Sequence, residues 1–218
     1  INSNTDGIFF KCKKKDVPEV KRRIEEWQVR TGLEMDYKEF TKFISKDVNN
    51  YLAIQVNGKI HAKGAYVKNL SDLDYDLPIV NEALRNYMIF GTPVEVTINS
   101  CTDFRKKQKI VKLSNKYDWV EHEQGYAPTY TPRGKRIDNY NRTIKYDNKA
   151  YRVFASKDHN DGRLLKCDGT RNPAKFGNTP DHCFIENGDI RDMKIPSKLD
   201  RQYYIELAKK RLDDFGVR

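Results

Sequence analysis

No stretch of the 218 residues approaches a long apolar run. A helix that crosses a bilayer needs roughly 18 such residues, so no membrane-spanning helix and no membrane partner are expected. The N-terminal residues do not form a basic region followed by an apolar stretch and a cleavage site, which argues against a secretion signal and for a cytoplasmic setting. Cysteine is sparse: Cys12, Cys101, Cys167 and Cys183 are scattered, with no Cys-x-x-Cys pair. That spacing excludes a zinc knuckle and a disulfide scaffold. Cys167, His182 and Cys183 come nearest to a ligand cluster. Adjacent His and Cys point different ways, however, and no fourth ligand is near in sequence, so these are expected to be ordinary thiols. Composition excludes a collagen, coiled-coil or low-complexity chain, and no internal repeat is visible.

The sequence is rich in charge and aromatic rings. It carries 41 Lys and Arg against 31 Asp and Glu, a formal charge of +10, with 11% aromatic residues including 13 Tyr. The excess is concentrated. Between Asp103 and Lys157 there are 14 Lys and Arg but only six Asp and Glu. Phe104, Tyr117, Trp119, Tyr126, Tyr130, Tyr140, Tyr146, Tyr151 and Phe154 are interleaved with them. Basic groups neutralise phosphates and rings pack on bases or sugars, so this combination suits nucleic acid. The competing possibility is that the rings are core and the cations a solvated face.

Local patterns predict an α+β chain. Ile8 to Phe10 reads as a short strand, and Asp16 with Pro18 opens a helix on which Val20, Ile24 and Trp27 share a face, ended by Gly32. Leu33, Met35 and Tyr37 alternate as a half-buried strand would. Two β-like runs, Tyr51 to Val56 and Lys59 to Val67, flank Asn57-Gly58, a strong hairpin signal. Beyond the acidic run Ser71 to Asp76, Pro78 opens a helix through Tyr87, with Ile79, Ala83 and Leu84 close to one face. Thr102 or Asp103 can cap a short helix carrying Phe104, Ile110 and Val111. Ser114 to Ala150 is polar and irregular. Strands are expected at Tyr151 to Ala155, Arg163 to Cys167 and His182 to Ile185, and a final helix with Tyr204, Leu207, Ala208, Arg211 and Leu212 on one stripe.

One residue stands out chemically. In Asn4-Thr5-Asp6-Gly7-Ile8-Phe9-Phe10 a carboxylate follows a polar turn at the start of an apolar strand. A rigid strand end of that kind can fix an oxygen ligand for Mg²⁺, a hard cation that prefers oxygen in near-octahedral geometry. By itself the pattern reads as a turn residue.

Order along the chain adds to this. Asn-Thr-Asp-Gly-Ile, a basic stretch, a helix with Glu25-Glu26-Trp27, then Asp47-Val48-Asn49-Asn50-Tyr51, Asn57-Gly58-Lys59 and Ala62-Lys63-Gly64 together resemble the last part of the palm of a family B DNA polymerase of the phage or prophage type. In that family a hairpin carries Asp-Thr-Asp-Ser, whose second Asp is a catalytic metal ligand. That position matches Asp6, while Asn4 replaces the first Asp and Gly7 the Ser. The family's primer-gripping Lys-x-Tyr is matched at Tyr51 only, with Asn49 in place of Lys and Lys46 available to cover for it. Lys63-Gly64 resembles the Lys-Gly on the following strand, where the backbone passes close to duplex. Leu199-Asp200-Arg201-Gln202-Tyr203-Tyr204-Ile205 resembles the start of the family's final helix.

The resemblance implies an antiparallel palm-like sheet with a packed helix over residues 1–70, and a mixed thumb-like domain over residues 71–218. The implied activity is DNA-directed DNA polymerisation, a nucleotidyl transfer, on primer–template DNA in a bacterial or phage-infected cytoplasm. Asp6 would be the catalytic and metal-binding residue for Mg²⁺. Asn49, Tyr51, Lys46, Lys63 and Gly64 would bind primer and template, and Lys106, Lys107 and Lys109 are expected on duplex phosphates. Two-metal transfer also needs a second strand carboxylate and a fingers helix to hold the dNTP. No such motif occurs in this sequence, so the chain is expected to be the C-terminal palm-and-thumb portion of a longer polymerase and inactive alone. The alternative is a stand-alone nucleic-acid-binding module without catalysis. A Mg²⁺-dependent nuclease ranks last, because acids such as Asp158, Asp161 and Asp181 are dispersed in turns.

Overall fold

The computed structural model describes residues 2–4, 7–68 and 76–217. Asp6 and the run Ser71 to Tyr75 lie outside them. The chain is α+β, with antiparallel sheets throughout and two compact units. One extends to Lys68 and includes Phe215–Val217; the other runs from residue 76 to Asp214.

In the first unit β1 (Asn2–Asn4) pairs antiparallel with β2 (Gly7–Phe9), and Asn4 stands opposite Gly7. A 3-10 turn at Lys14–Asp16 leads into α1 (Val17–Thr31), which has Pro in its first turn and ends at Gly32, whose φ of 71° gives the left-handed stop glycine tolerates. Val20, Ile24 and Trp27 are half-buried, as their spacing predicts, yet α1 buries none of its residues completely. The expected packed helix is therefore only loosely covered. The expected strand at Leu33, Met35 and Tyr37 does not form, and Leu33 and Tyr37 are exposed. Alternation lowers energy only when the apolar side meets a partner.

The strand begins later, as β3 (Phe40–Asp47), followed by β4 (Asn50–Gln55) and β5 (Ile60–Lys63) in the order β3-β4-β5. The Asn57-Gly58 turn joins the last two as expected. Gly58 takes φ 83°, and the Lys59 N–H donates to Asn57 Oδ1 at 3.0 Å.

The second unit opens with α2 (Pro78–Phe90) and α3 (Val94–Ser100), then a 3-10 turn at Phe104–Lys107. Ile79, Val80, Leu84 and Met88 are fully buried, each contributing about 1.5–3 kcal/mol of burial. Asp103 caps the 3-10 turn, accepting from the Arg105 N–H at 2.9 Å. Ile110 and Val111 do not continue it as helix; they lie on β6 (Lys109–Lys112).

Next come β7 (Trp119–Tyr126), β8 (Thr129–Tyr130), β9 (Arg136–Ile137) and β10 (Tyr140–Tyr146). The stretch that looked irregular thus holds two long strands. The remaining strands are β11 (Ala150–Ala155), β12 (Asp161–Cys167), β13 (Ala174–Lys175) and β14 (Cys183–Ile185), before α4 (Arg201–Asp214).

A sheet ordered β10-β7-β12-β13 and one ordered β14-β11-β6 share a core of Val111, Val120, Tyr151, Val153, Leu164 and Cys183. A second layer stacks Phe104 on Phe154, ring centroids 4.0 Å apart. Asp200 caps α4 by accepting from the Gln202 N–H at 2.9 Å. Tyr204, wholly buried, donates to the Lys107 carbonyl at 2.9 Å and accepts from the Ala155 N–H at 3.1 Å. The Asp-x-x-Tyr-Tyr-Ile segment therefore works structurally: one residue starts the helix and another ties it to β11 and the 3-10 turn.

Candidate nucleic-acid interface

In the first unit, antiparallel register brings the primer-grip residues together. Ser45 pairs with Tyr51, and Tyr51 with Lys63, so all three point to one face at the same end of the sheet. Phe43 stacks on Tyr51 at 5.6 Å between centroids, and Phe9 stacks on Phe43 at 4.8 Å. This aromatic row fixes the Tyr51 ring. Lys63 is exposed and has no ion-pair partner among the described residues.

At the same sheet end the β3–β4 turn is tied by Asp47. Its Oδ1 accepts from the Asn49 N–H at 2.8 Å and from Asn50 Nδ2 at 2.9 Å. The Asn50 amide, then the Asn49 N–H, hold the Asp47 carboxyl below its usual pKa. Gly64, with φ 99°, lies against Asn49 and Asn50. Lys46 projects over the Tyr66 ring, 5.6 Å from its centroid. Asn49 in the β3–β4 turn, Tyr51 on β4, Lys63 at the end of β5 and Gly64 just after it thus converge at one end of the sheet. Asp6 lies outside the described residues. Among those, no group of three His, Cys, Asp or Glu is placed to hold a metal ion, so no ligand set for Mg²⁺ is formed by them.

The second unit corrects the expectation for its lysines. Lys107 is 0% exposed, its ammonium donates to the Cys101 carbonyl at 3.0 Å, and burial pushes its pKa down. It has no access to a phosphate. Lys106 is paired with Glu82 and Lys109 with Asp76, each at 2.7 Å. These three do not form a free cationic patch.

Between Asp103 and Lys157 the exposed cations whose side chains have no hydrogen-bond or ion-pair partner among the described residues are Lys112, Lys116, Arg133, Lys135, Arg142, Lys149 and Lys157. Lys112 and Lys149 share one end of the β6–β11 ladder, where Lys112 pairs with Ala150 and the Leu113 N–H donates to the Lys149 carbonyl at 2.8 Å. Arg133 and Lys135 occupy the β8–β9 turn. The Pro132-Arg133-Gly134 sequence was a readable turn signal for that site. The interleaved rings divide in two. Phe104, Tyr151 and Phe154 are core, whereas Trp119 carries Lys145 at 4.6 Å and Tyr117 carries Lys166 at 4.8 Å.

A buried polar knot crosses the second unit. Asp161 accepts from Ser156 Oγ at 2.7 Å, Lys198 Nζ at 3.0 Å and Gln124 Nε2 at 3.1 Å. Gln124 also donates to His122 Nδ1 at 3.2 Å, while His122 Nε2 donates to the Cys183 carbonyl at 2.7 Å. Ser156 and His122 are buried. The knot satisfies buried polar groups and offers no nucleophile to solvent. Asp161 is committed to it, and Asp181 accepts from Lys175, so these acids do not join Asp158 in a nuclease-like cluster.

Comparison with protein-family models, curated proteins and solved structures finds no match to this chain.

Proposed function

We propose that the chain is the palm-and-thumb part of a DNA-directed DNA polymerase and that it grips primer–template DNA. The observation that carries this reading is the convergence of Asn49, Tyr51, Lys63 and Gly64 at one end of the β3–β5 sheet. A ring held by stacking and an unpaired ammonium on the same face can contact a sugar and a phosphate of one strand together. The seven unpaired cations between Asp103 and Lys157 supply a sequence-independent attraction for duplex. Asp6 contributes one carboxylate toward Mg²⁺, and its remaining ligands belong to other polymerase segments. When bound, the metal would stabilise charge on the transferring phosphoryl group. This chain's own contribution is to position the primer.

The alternative, a binding module without catalysis, rests on the unpaired cations between Asp103 and Lys157 alone. End preference separates the two. Binding of the full chain to a recessed primer–template is expected to exceed binding to blunt duplex, and Tyr51→Ala with Lys63→Ala to remove that preference. Equal affinity for both substrates would leave only the module.

A further inference from the structure

Residues 129–137 form a short hairpin at the end of the β7–β10 pair, joined to it where the Ala127 N–H donates to the Asn139 carbonyl at 2.8 Å. Its ladder has only two residue pairs, Thr129 with Ile137 and Tyr130 with Arg136. Isolated two-stranded hairpins are marginal in water, so something must hold this one. Part of the answer is its turn. The Gly134 N–H donates to the Thr131 carbonyl at 2.8 Å, the Thr131 N–H to the Lys135 carbonyl at 2.8 Å, and the Lys135 N–H to Thr131 Oγ1 at 3.0 Å. Pro132 presets the turn, and Gly134 takes the left-handed conformation at φ 75° that closes such loops. The base is held by Asp138, which accepts from Tyr126 Oη at 2.6 Å and from Arg136 Nε at 3.0 Å.

The tip is therefore shaped in advance but covered by no other element among the described residues. Residues 132–138 are all exposed, Tyr130 is 65% exposed and Ile137 44%. Asp138 neutralises Arg136, but Arg133 and Lys135 have no acidic partner among the described residues. A rigid basic tip flanked by an exposed ring and an exposed aliphatic side chain can neutralise phosphates and cover base edges with little ordering cost.

We propose that this hairpin enters the major groove of duplex DNA, with Arg133 and Lys135 on the flanking phosphates and Tyr130 or Ile137 toward base edges. The inference rests on the nucleic-acid reading above and adds where one element goes. A two-stranded ribbon fits the major groove of B-form DNA, about 12 Å wide, as it stands, whereas the minor groove at about 6 Å would first have to be opened. The deep, narrow major groove of A-form RNA excludes it.

The experiment titrates the full chain with B-form duplex across a salt series, comparing wild type, Arg133→Gln/Lys135→Gln and Tyr130→Ala. The double variant is expected to lower the slope of log affinity against log salt by up to about 0.9 per lost phosphate contact. Tyr130→Ala is expected to weaken binding without changing the slope. Premethylation of guanine N7 should block wild-type binding, and an A-form RNA duplex should bind more weakly than DNA. An unchanged slope in the double variant overturns the hairpin assignment while the nucleic-acid reading stands. Insensitivity to N7 methylation, or equal binding of the RNA duplex, overturns groove entry. Failure of the wild type to bind any duplex removes the function reading itself, and the hairpin proposal with it.

Discussion

Gly64 faces Asn50 so closely that a Cβ on Gly64 would lie 2.2 Å from Asn50 Oδ1 and 2.8 Å from the Asn49 carbonyl oxygen. The first contact is with a side chain pinned to Asp47, the second with backbone. Neither can yield cheaply, and the φ of 99° is itself unfavourable for any side chain.

Gly64→Ala is therefore expected to destabilise the first unit by about 1–3 kcal/mol and to distort the Asn49–Asn50 turn. Chemical denaturation of the variant measures the first effect. Weakened discrimination of a recessed primer end measures the second. A variant of wild-type stability would mean that the turn gives way without cost.

Lys107 is expected to behave as a core residue. Lys107→Ala removes the donor to the Cys101 carbonyl and empties a filled site, so stability should fall by about 1–3 kcal/mol. The salt dependence of DNA binding should not move. Lys106→Ala, whose partner Glu82 is partly exposed, should cost less than about 1 kcal/mol. A changed salt slope in the folded Lys107 variant would contradict the burial.

His122 should make stability depend on acid. Its Nε2 donates to the Cys183 carbonyl and its Nδ1 accepts from Gln124, so the buried ring is bonded as the neutral tautomer. Burial pushes its pKa below the ordinary value of 6.5; the nearby Asp161 charge opposes this shift and Lys198 reinforces it. The unfolded chain binds the proton more readily than the folded one. The His122 contribution is therefore complete above about pH 6.5 and is lost as pH falls below it. Denaturation midpoints between pH 8 and 5 should drop on the acid side for wild type and change less for His122→Gln. Parallel pH profiles would exclude the ring as their source.

Several elements were legible because their signals are local. The Asn57-Gly58 hairpin, the helix between Asp16 and Gly32, the Pro78 helix and the Tyr204-Ala208-Leu212 stripe each carry their own turn, stop or periodicity. The strands β7 and β10 escaped notice because their polar sequences become strands only by pairing with each other and with β12. The alternation at Leu33, Met35 and Tyr37 forms no strand for the converse reason, since among the described residues no strand pairs with it.

For the site, sequence alone determined the charge excess between Asp103 and Lys157, its interleaving with rings, and the turn chemistry that puts Tyr51 and Lys63 on neighbouring strands. Tertiary structure decided which cations are free. Glu82, Asp76 and the Cys101 carbonyl engage Lys106, Lys109 and Lys107, leaving Arg133 and Lys135 at a preformed tip. The physical reason is that a lysine's availability depends on the groups folding brings within about 3 Å of its ammonium, and Glu82 and Asp76 are far from their lysines in the sequence.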